Sequence, residues 1–256
     1  MKEVVVAKDL VKLYGTKNKV KALDGISITI EEGDYICIMG PSGSGKSTLL
    51  NNLSTIDLPT SGSIKINGTN VRVIDEFALS EFRHENLGFI FQEFNLIDSL
   101  TIRENIGVPL ALGNRPEDEI NKRVAHMAEK LGITDILDKF PIECSGGERQ
   151  RAASARALVT EPKMIVADEP TGNLDTKNSH ELLRILKDLN EKEGITILMV
   201  THDSMIASYA KKLLFLRDGK IDEEIEKGEL SQKEFFYKIV DITSKESQGL
   251  FKLLER

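Results

Sequence analysis

A short loop early in the chain has the residues and the spacing that phosphate binding requires. Residues 40–47 read Gly-Pro-Ser-Gly-Ser-Gly-Lys-Ser and fit the pattern G-x-x-x-x-G-K-[ST]. Glycines let a backbone wrap a phosphate with its N–H groups, and the lysine adds a positive charge for the β- and γ-phosphates. The serine at position 47 is suited to Mg²⁺. The loop therefore predicts a triphosphate site formed by Gly40, Ser42, Gly43, Ser44, Gly45, Lys46, Ser47 and Thr48.

A second group of reactive residues follows an apolar run later in the chain. Residues 164–167 are Met-Ile-Val-Ala, and Asp168 and Glu169 come directly after them. Because ligands bind at the carboxyl ends of strands in parallel sheets, we expect both carboxylates at the phosphate site. Asp168 would hold Mg²⁺, directly or through a water, and Glu169 would orient or deprotonate the attacking water. For this segment alone, an acidic turn after a strand is the alternative interpretation.

Both groups need a buried parallel sheet to position them, and the hydrophobic pattern predicts one. Continuous apolar runs at residues 35–39, 88–92, 164–167 and 196–200 are typical of strands buried on both faces. They alternate with helical patterns, which favours a parallel sheet with helices on both faces. Residues 26–30 alternate apolar and polar side chains, as in a half-buried strand. Residues 64–66 and 71–73 are predicted to form a hairpin with its turn at Asn67-Gly68.

The composition excludes several other classes of protein. The chain has 256 residues, of which 40% are apolar and 29% charged, as in globular proteins with a packed core. Its net charge is −7 and it has no dense Lys/Arg block, so nucleic acid is not expected as a partner. No apolar run approaches the roughly 18 residues of a membrane span, and the first residues do not show the apolar stretch that a secretory signal needs, so neither is expected. Cys37 and Cys144 lie far apart, which predicts reduced thiols in a cytoplasm.

Further segments resemble motifs of the ATP-binding-cassette (ABC) ATPases, in that family's order. Residues 144–151, Cys-Ser-Gly-Gly-Glu-Arg-Gln-Arg, resemble the signature motif. Gln92 resembles the Q-loop, residues 173–175 the D-loop, and His202 the switch histidine. Tyr14 resembles the aromatic residue that stacks on adenine. With the phosphate loop and residues 164–169, the resemblance extends over about residues 1–225.

The resemblance implies a fold and its division into parts. The expected fold is α/β: a P-loop NTPase core with a parallel sheet, an N-terminal antiparallel β subdomain and an inserted helical subdomain. Residues 1–87 and 162–225 would form the nucleotide-binding core with the β subdomain. Residues 88–161 would form the helical subdomain, and residues 226–256 a C-terminal helical tail.

The resemblance also implies ATP and Mg²⁺ as ligands and a role for each motif residue. Tyr14 would stack on adenine, and the ligands of Mg²⁺ would be Ser47, Gln92 and Asp168. The catalytic residues would be Lys46, Gln92, Glu169 and His202. In a head-to-tail homodimer that sandwiches two ATP molecules, the γ-phosphate bound by one copy would be contacted by the other copy's Ser145, Gly146 and Gly147.

Some of these residues have structural alternatives, and two depart from the usual signature. Ser145-x-x-Glu148 is also a helix capping box, and Tyr14 taken alone is more typical of a core or edge aromatic, an interpretation that its position in the family pattern reverses. Cys144 stands where the family usually has leucine, and Glu148 where it often has glutamine. Neither change removes the serine and two glycines expected to hold the phosphate.

The finer resemblance concerns what the ATPase drives. Residues 169–175, Glu-Pro-Thr-Gly-Asn-Leu-Asp, resemble a branch of macrolide-export, lipoprotein-release, cell-division and antimicrobial-peptide-resistance ATPases. Residues 87–106 are most similar to the bacitracin-type subunits. We therefore expect an ATPase at the inner face of the cell membrane that powers an integral-membrane permease for antimicrobial-peptide resistance or export. The alternatives are an ATPase partner of a cell-division or lipoprotein-release complex and, less compatible with a single acidic cassette, an ATPase acting on DNA or ribosomes.

The tail lies outside the strong resemblance. Ser231 and Glu234 form a second capping-box pattern, and an apolar helical face follows with Phe235, Phe236, Ile239 and Val240. This helix either packs on its own domain or makes a regulatory or dimer contact.

Overall fold

The computed structural model describes the backbone of residues 2–254 and the side chains of residues 2–244. The strands are β1 (Glu3–Tyr14), β2 (Val20–Glu31), β3 (Tyr35–Met39), β4 (Ser61–Ile66), β5 (Thr69–Asn70), β6 (Leu87–Phe91), β7 (Met164–Asp168), β8 (Thr196–Val200), β9 (Lys212–Arg217) and β10 (Lys220–Glu226). The α-helices are α1 (Lys46–Leu53), α2 (Glu76–Asn86), α3 (Ile102–Leu112), α4 (Glu117–Lys130), α5 (Gly146–Leu158), α6 (Thr176–Glu193), α7 (Ser204–Ala207) and α8 (Gln232–Leu254).

A six-stranded sheet in the order β10-β9-β3-β8-β7-β6 carries the predicted parallel core. Strands β9, β3, β8, β7 and β6 run parallel, and only the edge strand β10 is antiparallel. Every residue of β3 and β8 is buried, as expected for strands covered on both faces. The predicted α/β fold with a parallel sheet is therefore confirmed.

The antiparallel N-terminal subdomain is also present. Strands β2, β1, β4 and β5 form a separate antiparallel sheet in that order. Its apolar face joins α1 and one face of the parallel sheet in a single hydrophobic cluster. The helices α3, α4, α5, α6 and α8 cover the other face of the parallel sheet in a second cluster. The phosphate loop thus follows β3, a strand that is packed on both faces.

The prediction of a second hairpin strand at residues 71–73 is wrong. The turn is where the sequence placed it, with positive φ at Asn67 and Gly68, but β5 ends at Asn70. The Asn70 side chain accepts a hydrogen bond from the Arg72 N–H, and residues 71–73 form a short 3₁₀ helix. Since the Arg72 guanidinium also donates to the carbonyls of Pro59 and Thr60, local side-chain bonds replace the strand ladder here.

The helical lobe is inserted between two strands of the core. Helices α3, α4 and α5 pack on one another, and α3 and α5 both begin with complete capping boxes. Strand β6 pairs with β7 in the core sheet, so residues 88–91 belong to that sheet although they fall inside the range predicted for the lobe. The division into a core of residues 1–87 and 162–225 and a helical subdomain of residues 88–161 stays a prediction.

The tail packs on its own domain through its first turns. The Ser231 N–H and hydroxyl both donate to Glu234, at 2.9 and 2.7 Å. Phe235, Ile239 and Ile242 are buried in the core cluster, whereas Phe236 and Val240 are only half-buried. Within residues 2–254, none of the helices combines the length and apolar character that a bilayer crossing requires.

Candidate active site

The predicted phosphate loop connects β3 to α1 and is fixed by close backbone packing. Gly40 has φ 147° and Gly45 has φ 101°, in a region that favours glycine. A Cβ on Gly40 would lie 2.1 Å from the Leu216 carbonyl oxygen, and one on Gly45 would lie 2.4 Å from that of Ala22. The loop therefore needs these glycines for its own folding. It ends at the N-terminus of α1, where the helix dipole favours an anion.

Two polar side chains of the loop fit a phosphate ligand. Ser44 Oγ is buried and has no hydrogen-bond partner within the described part of the chain. Lys46 Nζ donates to the Pro41 carbonyl across the loop at 2.8 Å. A buried hydroxyl without a partner is costly, and a phosphate oxygen would satisfy it. The loop thus has the cradle, the hydroxyl and the charge of a triphosphate site.

The structure brings Asp168 and Glu169 to this loop, as the sequence predicted. Burial, and then the neighbouring Glu169 charge, raise the pKa of the Asp168 carboxyl; a hydrogen bond from Ser47 and the charge of Lys46 oppose the rise. An acidic pair kept close to a hydroxyl is typical of a site that gains from a cation. Ser47 and Asp168 therefore fit the Mg²⁺ that the sequence implied, since Mg²⁺ commonly binds through one or two carboxylates plus substrate phosphates.

Glu169 is held by two contacts with the chain around β8. Its φ of 45° is unusual for a non-glycine residue, and its N–H donates to the Val200 carbonyl at 3.0 Å. Its Oε1 lies 3.1 Å from Nδ1 of His202, which follows β8. The His202 side chain is 72% exposed and that of Glu169 26%, so both can reach a ligand. His202 was predicted to contact the γ-phosphate, and the structure places it on the carboxylate predicted to orient water.

A cavity of about 350 Å³ joins these groups to Gln92. Its lining consists of Ser47, Phe91, Gln92, Glu93, Asn95, Asp168 and Glu169, which unites the three predicted Mg²⁺ ligands. Asn173 Nδ2 donates to the Gln92 carbonyl at 3.0 Å. A Cβ on Gly172 would lie 2.8 Å from Gln92 Nε2, so this glycine leaves room for the amide. Sequence reasoning missed Glu93 and Asn95, whose only signal is that they follow Gln92.

Tyr14 is the last residue of β1 and is fixed by a network that the sequence did not reveal. Its hydroxyl donates to Asp57 Oδ2 at 2.8 Å and is also hydrogen-bonded by Thr48. Lys12 Nζ pairs with Asp57 at 2.5 Å and lies 5.1 Å from the Tyr14 ring centroid. The ring is 42% exposed. An anchored, exposed aromatic beside the phosphate loop can stack on a base.

Ser145, Gly146 and Gly147 lie apart from this cavity, at the start of α5. The hydroxyl and N–H of Ser145 both donate to Glu148 Oε2 at 2.7 Å. These hydrogen bonds, the side-chain one first, lower the pKa of the Glu148 carboxyl. A Cβ on Gly147 would lie 2.2 Å from Asn178 Oδ1, so α5 contacts α6 closely here. The three residues do not line the cavity at Ser47, which is consistent with a phosphate contact made to another copy.

Comparisons with known proteins give matches in both sequence and structure. A family model described as ABC transporter matches residues 23–172. The chain is 48% identical over 238 residues to the bacitracin export ATP-binding protein BceA of Halalkalibacterium halodurans, covering 93% of this chain and 94% of that one. It is 43% identical over 219 residues to the macrolide export ATP-binding/permease protein MacB of Hyphomonas neptunium, covering 85% of this chain and 34% of that one.

A solved structure agrees as well. The dimeric, post-hydrolysis structure of the ATP-binding cassette MJ0796, bound to ADP and Pi, superposes with a TM-score of 0.81 at 37% identity. It covers 87% of this chain and 98% of the other.

Proposed function

The chain belongs to the ABC transporter family, and we propose that it hydrolyses ATP to power a membrane exporter of antimicrobial peptides. The single observation that carries the proposal is the cavity in which Ser47, Asp168, Glu169 and Gln92 meet beside the phosphate loop. The assignment to peptides is supported by the 48% identity to a bacitracin export subunit along nearly the whole length of both chains. No observation favours the cell-division or lipoprotein-release alternative.

The residues of the loop and of β1 would bind ATP. Tyr14 stacks on adenine, the backbone of residues 40–47 wraps the phosphates, and Lys46 turns from the Pro41 carbonyl to the phosphate oxygens. Ser47, Gln92 and Asp168 would hold Mg²⁺, which neutralises charge on the phosphates when it is bound. Binding satisfies Ser44 Oγ and relieves the repulsion between Asp168 and Glu169.

Glu169 and His202 would carry the chemistry. Glu169 orients or deprotonates the water that attacks the γ-phosphate. His202 keeps the carboxylate in place through the 3.1 Å contact, and its exposed ring is free to turn toward the γ-phosphate. Both residues follow neighbouring parallel strands, so the core sheet fixes their separation.

The site would be completed by a second copy of the chain. Ser145 and the N–H groups of Gly146 and Gly147 stand at the positive end of a 13-residue helix, outside the chain's own cavity. In a head-to-tail homodimer each copy offers this helix end to the γ-phosphate held by the other. The dimeric structure of MJ0796 supports a homodimer.

A separate groove would receive the membrane permease. It has a volume of about 380 Å³, lies between α2, β6, α3 and α5, and is mostly apolar. Its lining includes Phe89, Phe91, Leu112 and Arg156, so it adjoins the segment that carries Gln92. Changes at the nucleotide would reach a permease bound in this groove through the segment that carries Gln92. Its binding would also hold the ATPase at the inner face of the membrane.

Replacement of Glu169 by glutamine tests the proposed chemistry. We expect Glu169→Gln to lower ATP turnover by at least about 100-fold, because general-base catalysis contributes that much or more. The variant should still bind ATP and should accumulate as an ATP-bound dimer in sedimentation experiments.

Glu129→Gln, on the exposed side of α4, is the matched control and should leave turnover unchanged. Normal turnover in Glu169→Gln would refute the catalytic role. The transport role is tested by purifying the tagged chain from membranes: a co-purifying permease with a large external domain supports peptide export, and a small cell-division partner contradicts it.

A further inference from the structure

The segment that follows β6 adopts a conformation that needs external support. Phe94 and Asn95 have φ of 55° and 50°, two successive non-glycine residues in the left-handed region. This region is costly for residues with a Cβ. Glu93 and Asn95 nevertheless line the cavity with Gln92, so the conformation of this segment determines how the cavity is closed.

Arg156 supplies the support from the far end of α5. Its Nη2 donates to the Phe94 carbonyl at 2.8 Å, and its Nη1 to the Asn95 carbonyl at 2.5 Å. The partly buried guanidinium therefore binds the carbonyls of both residues with positive φ. A planar fork with several N–H groups can hold two carbonyls at a fixed separation, whereas an ammonium group is a point charge without that geometry.

Two other side chains of α5 reinforce this attachment. The Arg149 guanidinium carbon lies 5.1 Å from the ring centroid of Phe94, which is a cation–π contact. Gln150 Nε2 approaches the Phe91 carbonyl at 3.5 Å. Arg149 and Arg156 are seven residues apart, so they lie on the same face of the helix. One helix thus contacts the segment from residue 91 to residue 95 at four places.

The same helix begins at the proposed contact with the partner's nucleotide. Ser145 is the N-cap of α5, and Arg156 lies in its last turn. A displacement of the Gln92 segment by the chain's own nucleotide must therefore move or strain the helix that offers Ser145 to the other nucleotide.

We propose that Arg156 is a positioning residue that joins the two half-sites, by fixing the Gln92 segment to the helix that carries Ser145. This inference rests on the proposed function. It predicts that ATP bound at the chain's own site moves α5 into the position from which Ser145 contacts the partner's nucleotide. ATP hydrolysis by the unaltered protein should then depend cooperatively on ATP concentration.

Arg156→Lys and Arg156→Gln test the proposal in the full-length chain. We expect the affinity of the isolated subunit for ATP to stay within about twofold, because the phosphate loop and Tyr14 are untouched. The kcat should fall about tenfold or more, and the Hill coefficient should drop toward one. A residue that merely stabilised the fold would lower the amount of active protein without separating kcat from binding or changing cooperativity.

Arg103→Lys and Arg103→Gln are the matched controls, since Arg103 lies in the same lobe and pairs only with the exposed Asp138 among the described residues. They should leave kcat and the Hill coefficient unchanged. If the Arg156 variants do not fold, Arg149→Gln, which removes the cation–π contact with Phe94 but neither hydrogen bond of Arg156, should shift both quantities less but in the same direction.

Unchanged kcat and Hill coefficient in folded Arg156 variants would overturn the proposal while leaving the ATPase assignment intact. Absence of ATPase activity in the unaltered chain would instead contradict the proposed function.

Discussion

At the scale of single residues, Glu148 has two opposing effects on the protein. Its carboxylate accepts two hydrogen bonds from Ser145 at the N-terminus of α5, which stabilises the helix. The same negative charge lies beside the groups proposed to bind a γ-phosphate. Compared with the glutamine that the family often has at this position, Glu148 would therefore cap the helix more strongly and lower the affinity for phosphate.

We predict that Glu148→Gln strengthens the ATP-dependent dimer. The measurement is made in the Glu169→Gln background, in which ATP is hardly hydrolysed. There the ATP concentration for half-maximal dimerisation should fall about fivefold. Removal of one like charge near the phosphate contributes roughly 1 kcal/mol, which corresponds to that factor. Glu104→Gln is the matched control, because it weakens the equivalent capping box of α3 away from the phosphate site. An equal effect of both substitutions would contradict the electrostatic explanation.

The stability of the nucleotide-free protein should respond in the opposite direction and depend on pH. Because the folded protein lowers the pKa of Glu148, its carboxylate contributes stability above the ordinary pKa of 4.5, and this contribution is lost as the pH falls through the lowered value. Glu148→Gln should therefore lower Tm slightly at pH 7, and the difference should shrink as the pH falls below 4.5 and vanish only below the lowered pKa of the folded protein. A difference in Tm that persists in acid would contradict the assignment to this charge.

At the scale of elements, the junction of β6 with α5 couples the helical lobe to the core sheet. Gly88 in β6 lies so close to α5 that a Cβ there would be 2.3 Å from the Ala157 carbonyl oxygen. The obstacle is helix backbone, which cannot rotate away as a side chain can. The absence of a side chain at Gly88 thus allows α5 to approach the strand that leads into Gln92.

We predict that Gly88→Ala destabilises the protein by about 1–3 kcal/mol, the usual cost of overpacking. The measurement is the free energy of unfolding in urea. Gly107→Ala in α3 is the control, since its Cβ would meet the movable Ile120 side chain at 3.1 Å, and its cost should be smaller. Equal costs would show that the β6–α5 approach has no special role.

At the scale of the whole molecule, we propose that each ATP site is formed by residues of both copies in the homodimer. Lys46 and Asp168 belong to one half, and Ser145 belongs to the other. On this proposal one chain alone would not form a complete site, because Ser145 lies outside the chain's own cavity. Activity should therefore depend on protein concentration.

Mixing inactive variants tests this arrangement. Lys46→Ala and Ser145→Arg should each be inactive alone, yet their mixture should recover part of the ATPase activity, since a mixed dimer contains one intact composite site. A mixture of Lys46→Ala with Asp168→Asn should recover none, because both defects lie in the same half. Recovery in both mixtures, or in neither, would contradict the shared site.

The sequence alone determined the chemistry that depends on neighbouring residues. The phosphate loop and the Asp168–Glu169 pair each occupy one short stretch, so their spacing along the chain predicts their spacing in the fold. The continuous apolar runs predicted the parallel strands that carry them, because burial on both faces leaves no polar alternation. The capping boxes of α5 and α8 were likewise predicted from local patterns, whereas the antiparallel subdomain was expected from the family resemblance.

Only the tertiary structure decided the contacts between distant segments. It placed His202 within hydrogen-bond distance of Glu169 and paired the Tyr14 hydroxyl with Asp57. It also placed the Arg156 guanidinium at the carbonyls of Phe94 and Asn95. It also replaced the expected strand at residues 71–73 with a helical turn that is bonded to Pro59 and Thr60. Such contacts depend on how whole elements pack, and hydrophobic periodicity records which face of an element is buried but not which residue it meets.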